Sequence, residues 1–192
     1  SRQPTFLLQD LSFLGMHIGP DIRTFAEPAG IAVKNLEDWH RVIAWWFDRY
    51  GPYAVAVKSQ AAYLRGLDYE QVPARDAAPL FARHRAGESL DPAERKRLED
   101  HLFWFCVGEA TRRGLPVKLH TGYYAGANGM PIARVRANPG EAAALCRGSP
   151  QTTFVFMHIG YPCWQEMIAL AKHYTNAVID NKLFRSLPYT IQ

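Results

Sequence analysis

The chain has 192 residues, of which 48% are hydrophobic and 21% charged, with a formal net charge of +4, a balance that suits one globular domain with a sizeable core. No apolar run approaches the roughly 20 residues of a membrane span, and Ser1 is not followed by the basic start and apolar stretch of a signal peptide, so a cytoplasmic setting is expected. Cys106, Cys146 and Cys163 are odd in number and show no CxxC spacing, which excludes a disulfide framework and a thiolate zinc site and leaves buried thiols.

Phe6-Leu7-Leu8-Gln9 is a short apolar strand ending at Asp10. The loop behind it, punctuated by Gly15, Gly19, Pro20, Pro28 and Gly30, is long enough to be functional, and Asp10 and His17 are candidate site residues on it. Asn35 is a good N-cap for a helix whose apolar positions Leu36, Trp39, Val42, Ile43, Trp46, Phe47 and Tyr50 recur at helical spacing until Gly51-Pro52 stops it. Trp39 and Trp46 belong to the core on this pattern. The strand Tyr53 to Val57 ends on Lys58, with Tyr63 and Arg65 just beyond.

A helix is expected from Asp76 to about Arg85. A longer one follows, opened by Asp91-Pro92 and closed by Gly114, with Leu98, Leu102, Phe105, Cys106 and Ala110 as its buried stripe. The basic groups Arg95-Lys96-Arg97 and Arg112-Arg113 alternate with Glu94, Glu99, Asp100 and Glu109, so they read as solvated helix faces and not as a nucleic-acid surface. His101 reads as a surface or satisfied boundary histidine, and His40, His84 and His173 as helix residues without a ligand role.

Two apolar strands each end on a histidine with a glycine two places on: Leu115-Pro116-Val117-Lys118-Leu119-His120-Thr121-Gly122 and Thr153-Phe154-Val155-Phe156-Met157-His158-Ile159-Gly160. Alternating strands and helices indicate an α/β fold with a parallel sheet, whose C-terminal strand ends open on one face. His120 and His158 on that shared edge make a candidate metal site. A glycine-rich loop runs from Thr121 to Met130, without the Gly-Lys-Ser/Thr or GxGxxG of a phosphate-binding loop. Asn138-Pro139 is expected to cap a short helix through Cys146, and Tyr161-Pro162 to start one running to about Tyr174 before a last strand, Ala177 to Asp180.

On Val117 to Gly122, Phe156 to Pro162 and Tyr174 to Asp180 the chain resembles the amidohydrolase superfamily, in particular the amidohydrolase 2 group, from about Phe6 to Asp180. The resemblance implies a (β/α)8 barrel of the TIM type with a divalent metal at the strand ends, zinc first and manganese second. It implies His120 and His158 as metal ligands, Lys58 as a bridging ligand once carboxylated or as a partner of an acidic substrate, and Tyr63 and Arg65 as groups that orient a substrate carboxylate. Arg65 also reads as one half of a surface ion pair. The activity implied is hydrolysis of an amide or ester carbonyl by metal-bound hydroxide on a small-molecule, carboxylate-bearing substrate. The alternatives are a metal-assisted decarboxylase or other lyase, or an inactive barrel portion.

The His-x-His of the family's first strand and the aspartate of its eighth are absent, and Asp10 and Asp180 stand in neither motif. Five strands are countable where a complete barrel has eight and about 250 residues. The expectation is therefore a partial barrel over residues 1–180 with an unpatterned tail at 181–192, the missing ligands lying on a longer chain and the open strand edges favouring a homo-oligomer.

Overall fold

A computed structural model describes residues 6–8, 22–124, 129 and 131–180. The expectations for Asp10, His17 and the tail after Asp180 lie outside these. The strands are Phe6–Leu8 (β1), Ala54–Ser59 (β2), Val117–Leu119 (β3), Phe154–Phe156 (β4) and Ala177–Ile179 (β5). The helices are Ile22–Ala26 (α1), Leu36–Tyr50 (α2), Ala74–Arg85 (α3), Pro92–Arg112 (α4), Ile132–Gly148 (α5) and Trp164–His173 (α6). This is the expected α/β order. No described helix is long and apolar enough to cross a membrane. The chain divides into two compact units, the first running to Val57 and resuming at Tyr69–Leu115, the second made of Lys58–Asp68 and the chain from Pro116 on.

In the first unit β1 pairs parallel with β2, Phe6 opposite Ala54. The Asn35 side chain accepts from Asp38 N at 2.9 Å and starts α2, as its residue type predicts. Trp39, Val42, Ile43 and Phe47 are fully buried. Trp46 is only half-buried, because its indole N–H reaches out to donate to Phe25 O at 2.9 Å. A capping box opens α4: the Asp91 side chain accepts from Glu94 N, and Glu94 returns to Asp91 N.

The buried side of α4 is wider than one stripe. Phe103 and Val107 are buried while Phe105 is half-exposed. The acids expected on a solvated face, Glu99, Asp100 and Glu109, are buried too. Asp100 accepts from Lys96 at 2.7 Å and from Glu70 N at 3.1 Å, and Glu109 is gripped by Arg112 and Arg113. Lys96, Arg112 and Arg113 are therefore the partners of buried carboxylates, which burial without a counter-charge would make very costly, while Arg95 and Arg97 stay exposed as expected.

His101 is the satisfied histidine of the expectation. Its Nδ1–H donates to Val72 O at 2.8 Å, so its Nε2 accepts from His40 Nε2–H at 3.0 Å, while the His40 ring stacks on Phe105. Burial, then the facing His101, pushes the His40 pKa down to about 4, and burial lowers that of His101. Nearby Asp38 and Asp100 are already engaged, by Arg41 and Lys96.

In the second unit β3, β4 and β5 are parallel and in register, Lys118 opposite Val155 and Val155 opposite Val178. Strand alternation turns Val117, Leu119, Phe154, Phe156 and Ala177 to one face, where they are buried. Lys118, Val155 and Val178 turn to the other, and His120 and Asp180 continue that second face. Here α5 departs from expectation: it begins at Ile132, with Pro139 inside it. Asn138 is no cap because its side chain is fully buried, its Oδ1 accepting from Gly122 N at 2.9 Å. Asn176 Nδ2 donates to the carbonyls of Cys146, Ser149 and Thr152, tying the end of α5 to the start of β5.

Gly122 has φ +69°, and a Cβ there would stand 2.5 Å from backbone atoms of Gly160 and Tyr161. Gly122→Ala should lower unfolding free energy by about 2–4 kcal/mol in urea titration, since neither turn can yield without moving its strand. For the first unit a pH dependence follows. The unfolded chain protonates its histidines near pH 6.5, before folded His40 does, so stability is complete above that pH and falls as pH drops toward about 4. His40→Phe, which keeps the stack on Phe105, should reduce the difference in urea midpoint between pH 7.5 and 5.

Candidate metal centre

His120 follows β3 directly and is 3% exposed. Its backbone N–H donates to Ser59 O at 3.0 Å, fixing the histidine against the end of β2. Its Nε2–H donates to Tyr123 O at 3.0 Å, and because a carbonyl can only accept, the neutral ring keeps its lone pair on Nδ1. A backbone carbonyl that fixes the tautomer in this way orients an imidazole for a metal. Burial first, then His158, then Lys58 lower its pKa to about 4.

His158 stands two residues past the end of β4, in a single turn over Met157–Gly160, and not on the strand itself. His158, Ile159 and Gly160 have φ of 59°, 51° and 62°, three consecutive residues in the left-handed region. For β-branched Ile159 that conformation is strained. Hydrogen bonds hold it: Ile159 N donates to Asp180 O at 2.9 Å, and Thr121 Oγ1 donates to Met157 O at 2.6 Å. The result sets the two imidazoles edge to face, centroids 4.8 Å apart. His158 Nδ1 is buried with no hydrogen-bond partner among the described residues, and burial lowers the pKa of the ring against the pull of Asp180.

Two neutral imidazoles, one with a free lone pair behind a carbonyl-bound N–H and one with an orphaned buried nitrogen, suit two positions of a divalent metal. Zinc sites usually take three protein ligands or more, and no cluster of three His, Cys, Asp or Glu occurs among the described residues. Asp180 does not complete the set, because its carboxylate binds Lys118 Nζ at 2.5 Å.

Lys58 is the penultimate residue of β2, half-buried, and its charge acts on both rings. No carboxylate pairs with it among the described residues. Tyr63 lies on His120, centroids 4.4 Å apart, and Tyr124 meets both rings edge-on. Arg65 does form an ion pair, its Nη2 3.6 Å from Asp68 Oδ1 on the exposed side, while its own side chain is only 12% exposed and its Nε donates to Gly66 O at 3.0 Å. Sequence reasoning missed Arg134, in the first turn of α5, whose Nη2 donates to Tyr63 O at 3.1 Å and whose guanidinium lies 5.7 Å from the centre of the Tyr124 ring.

The chain is similar to several known proteins. The chain is 32% identical over 139 residues to protein fluG of Emericella nidulans, an alignment covering 67% of this chain and 16% of that protein. A solved structure assigned as a metal-dependent hydrolase, from Lactobacillus casei, superposes with a TM-score of 0.59 at 21% identity, over 78% of this chain and 39% of that one. Uronate isomerase from Thermotoga maritima superposes with a TM-score of 0.68 at 12% identity, over 89% of this chain and 41% of that one. The chain thus spans about two-fifths of the solved structures it matches, as a partial barrel does. The Amidohydrolase family model matches residues 38–190, strand-end histidines included, and the chain belongs to that family.

Proposed function

We propose that this chain carries part of the active site of a metal-dependent hydrolase, with His120 and His158 as two of the ligands. Family membership implies a divalent metal. The observation that carries the assignment is His158: a strained backbone holds it edge to face with His120 and leaves its buried Nδ1 without a partner. Strain of this kind persists at sites whose surroundings over-determine it. When bound, the ion supplies a Lewis acid and a water of lowered pKa.

The chain's own residues do the rest. Burial keeps both imidazoles neutral and able to donate lone pairs. The Tyr123 carbonyl keeps the His120 proton on Nε2. Lys58 brings a positive charge beside both rings, with no carboxylate partner among the described residues, which suits either of two roles: a carboxylated lysine joining the metal, or an ammonium holding the carboxylate of a small-molecule substrate. The second favours an acid as substrate and keeps a decarboxylase or lyase open beside hydrolysis of an amide or ester. Zinc is the proposed metal, with manganese as its competitor.

Elemental analysis of the purified protein should find bound zinc or manganese that both His120→Ala and His158→Ala lose. Metal retained by both variants would remove the histidines from the site. Lys58→Arg separates the lysine's two roles, because a guanidinium keeps the positive charge but cannot form a carbamate on a primary amine. If Lys58 binds the substrate's carboxylate, the variant should retain kcat/KM within about 10-fold. If Lys58 is carboxylated, the loss should be at least about 100-fold, accompanied by loss of metal.

A further inference from the structure

We propose that Arg134 is a specificity residue, anchoring a carboxylate that the substrate carries apart from the group that reacts. Among the described residues the second unit pairs Lys118 with Asp180 and Arg65 with Asp68 and the Gly66 carbonyl, and Glu141 accepts from Asn138. Arg134 has no such partner. Its guanidinium is half-buried, its Nη2 is engaged by the Tyr63 carbonyl, and its Nε is buried with no acceptor. Among the described residues the face of the Tyr124 ring is the remaining favourable contact of the charge. Neither a neutral carbonyl nor a ring face neutralises a guanidinium taken out of water, and an unpaired donor at the same group adds to the cost.

The location of this guanidinium suits a ligand subsite. Tyr63, whose carbonyl holds Arg134, lays its ring on His120, and Tyr124, over which Arg134 sits, is edge-on to the same imidazole. The Tyr124 hydroxyl donates to Ala62 O, and the Gly122 N–H is fixed by Asn138, one turn along α5 from Arg134. The anchor is thus braced on the two turns that follow β2 and β3. A substrate whose reacting carbonyl lies at the histidines would place a second group, one tyrosine ring away, at a planar guanidinium fork. Carboxylates fit such a fork with two parallel hydrogen bonds. With Lys58 at the histidines, the predicted substrate class is a compound with two acidic or acyl ends, such as a dicarboxylic acid or its half-amide.

The substrate class rests on the hydrolase reading, but the anchor can be tested without it. The side-chain Nε–H resonance of Arg134 is followed by NMR in the full chain, stripped of metal with EDTA, during titration with glutarate, acetate and inorganic phosphate. Glutarate should move the resonance to saturation and bind at least about 10-fold more tightly than acetate. Arg134→Gln should weaken glutarate binding by at least about 10-fold, and Arg134→Lys should recover part of the loss. An Arg134 resonance unmoved by glutarate, or Arg134→Gln binding it like the parent, overturns the anchor. Equal effects of glutarate, acetate and phosphate show non-selective charge attraction, which also overturns it. Because this readout contains no metal and no turnover, loss of the anchor and loss of the metal assignment are separate results.

Discussion

The candidate centre depends on one close contact, the backbone at Gly122 lying against the backbone of Gly160 and Tyr161. A side chain as small as a methyl at Gly122 would meet three backbone atoms at 2.5 Å. Each glycine comes two residues after its histidine, so the contact that packs the two turns together also brings the two imidazoles together. The second turn adopts left-handed backbone through His158, Ile159 and Gly160 to meet the first. What holds it there is itself part of the site: the Asp180 carbonyl accepts from Ile159 N, and Thr121, between His120 and Gly122, donates to Met157 O. The strain at Ile159 and the placement of His158 have one cause.

Charge is handled differently in the two units, and the contrast gives the site its character. In the first unit the buried carboxylates Asp100 and Glu109 each have a cation at hand, so burial there is paired. The His40 and His101 rings are paired with each other and with the Val72 carbonyl. In the second unit Lys118 pairs with Asp180, while Lys58 and Arg134 have no carboxylate partner among the described residues. Lys58 acts on both imidazoles and Arg134 stands one tyrosine ring away, and an effective dielectric well below that of water makes such charges felt at short range.

Much of this was legible in the sequence, because much of it is local. Asn35 and Asp91 announce helix starts through side chains that reach only three residues ahead. Apolar runs ending in His-x-Gly announce β3, β4 and the edge they share. What was not legible depended on partners far along the chain. Asn138-Pro139 has the form of a cap, yet Asn138 serves Gly122, 16 residues earlier, so α5 begins at Ile132 instead. Glu99, Asp100 and Glu109 look solvated in a charged run and are buried, because Lys96, Arg112 and Arg113 fold back on two of them. Arg65 stands beside Tyr63 in sequence and was the natural candidate for a carboxylate. The guanidinium braced on the site tyrosines is that of Arg134, which no motif marks.

The same division explains why the two histidines could be read while a complete ligand set could not. A strand end is a local property, visible as an apolar run that stops at a polar residue, and a parallel sheet guarantees that successive strand ends share an edge. Coordination number is not local. It is the count of donors that different strands bring to one point, and here the described strands bring two imidazoles, a lysine and an already neutralised carboxylate. A site built strand by strand around a barrel is distributed by construction. A portion of the barrel therefore preserves the orientation of its own strand-end histidines, through Tyr123, Ser59 and the Gly122 contact.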